Sequence, residues 1–122
     1  MPAGRPATIL VLEKNAAARE LIDQALRESG DRILVTDDPN EAIELARRVR
    51  IDLLVSDVTL LHRYGQPFLK HLRSVERGLR VLYLDSRNGQ GFVQAEDAIT
   101  LHTPFSLDEL QEAVADLLGR HT

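Results

Sequence analysis

Four places along this sequence end an apolar run with residues that could do chemistry. Glu13 and Lys14 follow Ile9-Leu10-Val11-Leu12, and Asp57 follows Leu53-Leu54-Val55-Ser56. Asp85 follows Val81-Leu82-Tyr83-Leu84, and His102 and Thr103 follow Ile99-Thr100-Leu101. On one rim, Glu13, Asp57 and Asp85 would set three carboxylates beside one ammonium, that of Lys14. Converging carboxylates repel and raise one another's proton affinity unless a cation sits among them. A hard divalent ion such as Mg²⁺ suits oxygen ligands of this kind. The plainer alternative is a set of solvated loop acids. Spacing alone leaves both open.

Whether these groups meet depends on the elements that carry them. Thr8-Ile9-Leu10-Val11-Leu12 is apolar after its first residue, as a central parallel strand covered on both faces should be. Asn15 is placed to cap a helix with Ala18, Leu21, Ile22, Ala25 and Leu26 at helical spacing, and Gly30 stops it. Ile33-Leu34-Val35 reads as a second strand. Asp38-Pro39-Asn40-Glu41 is a strong helix start, with a cap, a proline at the first helical position and an acid at the third. Ala42, Ile43, Leu45, Ala46 and Val49 make that helix's apolar face. Leu53-Leu54-Val55 is a third strand. A loop with Gly65 then leads to a helix with Phe68, Leu69 and Leu72 inward. Val81 to Leu84 and Ile99 to Leu101 complete five strands. Ser106-Leu107-Asp108-Glu109 is a capping box for a last helix through Leu118, stopped by Gly119.

Strands alternating with helices imply a parallel sheet with right-handed crossovers. Sites in such sheets form outside the carboxyl ends of the strands. Glu13, Lys14, Asp57, Asp85, His102 and Thr103 all fall there. One connection departs from the pattern. The segment 85–98 is fourteen residues long and carries Gly89 and Gly91. Each glycine inside a helix costs about 1 kcal/mol against alanine, so the fourth helix should be short or irregular.

The 122-residue chain has the length of one domain, with 43% hydrophobic and 28% charged residues. That balance excludes intrinsic disorder. Its longest aliphatic stretches are about four residues, far below the roughly 20 needed to span a membrane. No secretory signal is present at MPAGRPAT, and cytosol is the expected compartment. The absence of cysteine removes disulfides, thiol nucleophiles and Cys-ligated metals. The 15 basic and 19 acidic residues are spread along the chain and form no basic stripe, so nucleic acid is not expected as a direct partner. His62, His71, His102 and His121 lack metal-ligand spacing and read as structural or exposed. Arg47, Arg48 and Arg50 suit the end of the second helix.

Residues 8–119 resemble the receiver domain of bacterial two-component response regulators. Residues 1–7 read as a lead-in and 120–122 as a tail. DLLVSDVTLL, Asp52 to Leu61, is similar to the family's third strand and its phospho-accepting aspartate, here Asp57. Gly65 falls eight residues later, as the family's loop glycine does. Thr103-Pro104-Phe105 resembles its Lys-Pro-Phe signature, and the block Ala18 to Leu21 fits its first helix. The resemblance implies a flavodoxin-like sheet in order 2-1-3-4-5 and a phosphoaspartyl switch read by partner proteins.

Carried over position by position, the resemblance also exposes departures. Glu13 stands at the first of the family's two consecutive acids, and Lys14 at the second, a metal ligand. Asp85 stands where a hydroxyl meets the phosphoryl group, with Ser86 one place late. Thr103 replaces the family's lysine, Thr100 its aromatic switch residue and Leu61 a frequent proline. The metal set that the resemblance leaves is Glu13, Asp57 and Thr59. Phosphoryl transfer to a carboxylate depends on positioning and on neutralising the phosphoryl oxygens. Asp85 would oppose a group bearing roughly −2. Two like charges about 4 Å apart cost on the order of 4 kcal/mol at an effective dielectric of 20. Lys14 is expected to turn inward toward Asp57 or Asp85 as a built-in counter-ion.

The leading expectation is therefore a receiver-like signalling module, not an enzyme, acting mainly by protein contact. Its partner would be a histidine kinase or another signalling protein, with Mg²⁺ binding impaired. The shortened 85–98 segment predicts a monomer or a non-standard dimer. In the alternative, Asp57 still accepts a phosphoryl group from a kinase. The rival class is a small Mg²⁺-dependent phosphate-ester hydrolase. Thr59, two residues after Asp57, stands where such phosphatases need a second acid.

Overall fold

The computed structural model describes residues 6–57, 68–85, 98–102 and 105–120. Five strands are present: β1 (Thr8–Leu12), β2 (Arg32–Thr36), β3 (Leu53–Asp57), β4 (Arg80–Asp85) and β5 (Ala98–His102). The helices among the described residues are α1 (Ala16–Arg27), α2 (Pro39–Arg48), α3 (helical over 68–75) and α4 (Leu107–Leu117). All strand pairings are parallel, and the sheet order is β2-β1-β3-β4-β5. This is the flavodoxin-like arrangement that the sequence implies. The shortened fourth helix expected within 85–98 lies outside the described residues. So do the readings at Thr59, Leu61, His62, Gly65, Ser86, Thr103 and His121.

The pleat divides the core into two layers, because successive side chains of a strand leave on opposite faces. Leu10, Leu12, Leu54, Val81 and Tyr83 meet Ala42 and Ala46 of α2 and Phe68, Leu69 and Leu72 of α3. On the other face, Ile9, Val11, Leu53, Val55, Leu82 and Leu84 meet Ile22, Ala25 and Leu26 of α1 and Leu110, Ala113, Val114 and Leu117 of α4. Strands covered on both sides have no polar face, which explains the uninterrupted apolar runs.

The helix starts are set by local chemistry. The side chain of Asn15 accepts from the Ala18 amide at 2.9 Å, and that of Asp38 from the Asn40 amide at 2.9 Å. Ser106 and Glu109 exchange hydrogen bonds at 3.0 and 2.8 Å in a reciprocal capping box. At the helix ends, Gly30 and Gly119 have φ of 86° and 73°, the left-handed region where glycine carries no steric penalty.

Candidate functional site at the carboxyl ends of the strands

β1 and β3 are paired so that Leu12 lies opposite Ser56, and β3 and β4 so that Asp57 lies opposite Leu84. Glu13 and Asp57 therefore leave the sheet at neighbouring places on one rim. By strand alternation both belong to the face of Val11 and Val55. Together with Asn15, Ala18, Leu21, Ile22, Leu84 and Phe105 they line a cleft of about 310 Å³. One end of that cleft is acidic, and its wall along α1 and Phe105 is largely apolar. Leu21 is half exposed there.

Glu13 is buried. Its amide donates to the Thr36 carbonyl at 3.1 Å, and its Oε2 accepts from the Asn15 amide at 3.2 Å. Burial holds its carboxyl above the usual range. The negative charge of Asp57 pushes the same way, while the Asn15 amide and Arg19 oppose both. Of the three acids expected at this rim, the structure thus couples Glu13 to Asp57. Asp85 is set differently. It extends β4 one residue past Leu84, on the alternating face of Val81 and Tyr83. It is only 1% exposed, and His102 Nδ1, on the paired residue of β5, stands 3.7 Å from its Oδ2. Thr100 pairs in register with Tyr83, and its buried hydroxyl makes no hydrogen bond among the described residues.

The expected inward turn of Lys14 is corrected. Lys14 is exposed and makes no ion pair among the described residues. The cause is alternation at the end of β1: once Glu13 points into the cleft, the next side chain points out. Burying an ammonium would also carry a desolvation cost. Among the described residues the cation beside Glu13 is Arg19, which the sequence reading passed over within the helix block Ala18 to Leu21. Its guanidinium donates to the carbonyls of Glu13 at 2.9 Å and Lys14 at 3.4 Å. A cation near a helix start opposes the helix dipole, and an arginine one turn after a strand end was the available signal. The pairing of His102 with Asp85 was also missed, because it depends on the β4–β5 register. Arg47 and Arg48 do occupy the last turn of α2, as expected.

Mg²⁺ commonly takes one or two carboxylates from a protein and completes its shell with water. Glu13 and Asp57 fit such an ion, since a divalent charge would offset the burial, and the lesser repulsion from Asp57, that raise Glu13. Lys14 supplies no third ligand, and no group of three acidic or histidine ligands occurs among the described residues. No helix among the described residues is long and apolar enough to cross a membrane.

Comparison with known proteins agrees with this geometry. Residues 9–115 match the family described as the response regulator receiver domain. A probable transcriptional regulatory protein of Mycobacterium tuberculosis, TcrX, is 35% identical over 96% of this chain and 52% of its own length. The chain spans about half the length of the curated relatives it matches. Among solved structures, the receiver domain of the hybrid histidine kinase CckA is 29% identical, with a TM-score of 0.75 over 92% of this chain and 99% of its own. The receiver domain of the Pseudomonas aeruginosa sensor kinase PA1611 is 25% identical, with a TM-score of 0.77 over 94% and 99%. That structure holds a magnesium ion coordinated in its active-site cleft. The five-stranded parallel order, the aspartate at the end of β3 and the match over residues 9–115 together assign the chain to the response regulator receiver domain family.

Proposed function

We propose that this chain is a two-component receiver module that signals mainly through protein contact, with Asp57 at the phospho-acceptor position of an atypical pocket. The module comprises residues 8–119, works in the cytoplasm and is not itself an enzyme. The observation that carries this reading is Asp85, a carboxylate 1% exposed at the rim, one residue beyond the position paired with Asp57. A phosphoryl group on Asp57 would add about two negative charges to the same rim. Lys14, facing solvent, does not offset them. Thr103 stands where the family's lysine would be, and Thr100 where its switch aromatic would be. Where Mg²⁺ binds, Glu13 and Asp57 would hold it, and it would neutralise phosphoryl charge.

The apolar wall of Leu21, Ile22 and Phe105 beside Asp57 supports a protein partner, either a histidine kinase or another signalling protein. A monomer or a non-standard dimer fits the short 85–98 segment. Phosphorylation of Asp57 by a kinase is the second reading, favoured by the coupled pair of Glu13 and Asp57. The test is titration of Mg²⁺, then Mg²⁺ with beryllofluoride, into ¹⁵N-labelled protein followed by NMR. Weak shifts confined to the amides around Glu13 and Asp57 are expected. Saturable shifts that spread to Thr100 and α4 under beryllofluoride would overturn the contact-only reading in favour of the phosphorylated one.

A further inference from the structure

At the opposite end of the sheet, the amino ends of the strands border a second, larger cleft of about 830 Å³. Its described lining brings Arg32, Arg50, Arg80 and Arg120 together with Asp52 as the one lining carboxylate. With Asp31, which pairs with Arg120 beside the cleft, four guanidiniums face two acids, a local excess of positive charge in a chain whose net charge is −4. The sequence does not announce it, because the four arginines come from β2, the turn after α2, β4 and the segment after α4.

The nearby acids are already engaged. Asp52 accepts from the Thr8 amide at 2.9 Å and lies 3.5 Å from Arg50 Nε. Asp31, at the edge of the cleft, accepts both prongs of Arg120 and the Ala7 amide. Arg80 gives one nitrogen to the Leu117 carbonyl at the end of α4, which fixes its direction. The Arg32 guanidinium makes no hydrogen bond or ion pair among the described residues. Neighbouring Gly78 and Gly119 leave open space where side chains would otherwise stand.

We propose that this cleft binds a small anion carrying two or more phosphate-type charges, held by Arg32, Arg50 and Arg80 beside the fixed Arg120. Guanidinium forks match phosphate oxygens two at a time, which makes arginine the preferred residue for such recognition. Gathered cations repel one another, and a multiply charged anion relieves several of those repulsions at once. A single carboxylate cannot. The site is distinct in place from Asp57, which lies at the far ends of the same strands.

The test is inorganic pyrophosphate titrated into the ¹⁵N-labelled chain, with orthophosphate as a second arm. The amides of Thr8, Gly78 and Gly119 report the cleft. Saturable shifts there are expected, with pyrophosphate binding tighter than orthophosphate. The double variant Arg32→Gln, Arg50→Gln should weaken pyrophosphate about tenfold or more, since each charged hydrogen bond is worth at least that order. Both side chains are exposed, so the fold should persist, and the spectrum checks it. The control Arg47→Gln, Arg48→Gln, on α2, should leave binding unchanged. Shifts that do not saturate, equal affinity for the two anions, or equal losses in both double variants would overturn the proposal.

Discussion

The two ends of the sheet treat the same residue type in opposite ways. At the amino ends, Asp31 and Asp52 are structural. Asp31 accepts the Ala7 amide just before β1 and Asp52 the Thr8 amide at its start, and each faces an arginine. At the carboxyl ends, Glu13 is buried beside a second acid, and its proton affinity rises for that reason. Asp85 is buried too, with the partly exposed His102 beside it. The first pattern fastens the chain termini and the strand starts. The second stores electrostatic repulsion at the place where the family does its chemistry. At the carboxyl ends, burial and a neighbouring acid outweigh the Asn15 amide and Arg19 at Glu13, and a shifted carboxyl in a cleft is the usual mark of a functional site.

The contrast can be broken from either end. The largest effect is expected from Arg120→Ala, which would leave the carboxylate of Asp31, 1% exposed, without its bidentate partner. Breaking a mostly buried pair from one side should cost about 2–3 kcal/mol, read as a lower urea midpoint with unchanged slope. Next comes Asp85→Thr, which removes the rim charge and restores a hydroxyl. Beryllofluoride affinity in the presence of Mg²⁺ should rise at least about tenfold, equivalent to removing roughly 1.4 kcal/mol of repulsion. No gain by NMR would show that Asp85 does not oppose the acceptor site.

Ser106→Ala removes one half of the capping box on the helix that follows Phe105. It should cost about 1 kcal/mol in thermal or urea unfolding, with little change in the spectrum of the strands. Glu13→Gln is smaller and depends on pH. A carboxyl whose affinity for protons is raised on folding adds stability below its unfolded value of 4.5 and loses it as pH rises through the folded value. The amide variant should therefore melt higher than the parent near pH 7, and the gap should close as pH falls toward 4.5. Smallest of all, Lys14→Ala should leave both Tm and Mg²⁺ affinity unchanged, as expected for an exposed side chain. A loss of stability rescued by Mg²⁺ would restore the counter-ion role for Lys14.

Much of this was legible in the chain. The caps at Asn15, Asp38 and Ser106 and the stops at Gly30 and Gly119 are short-range chemistry, and each formed where the residue types called for it. Strand β1 runs from Thr8 to Leu12 as read, and the other strands extend the expected apolar runs by one or two residues through Arg32, Thr36, Ser56, Asp57, Arg80, Asp85, Ala98 and His102. Polar strand ends defeat an apolar pattern, because at the rim of a sheet backbone pairing continues after burial stops.

The site was legible by position but not by contact. Glu13 and Asp57 were placed correctly on the rim, while the direction of Lys14 and the roles of Arg19 and His102 were not. By itself the sequence determined the elements, their caps and the parallel sheet with its acids at one end. Those depend on spacing within a dozen residues. Only the tertiary structure decided which acid faces which, which cation serves them and that four scattered arginines share a cleft. Coulomb energies follow distance through space, and distance is set by register and pleat, which no stretch of sequence carries alone.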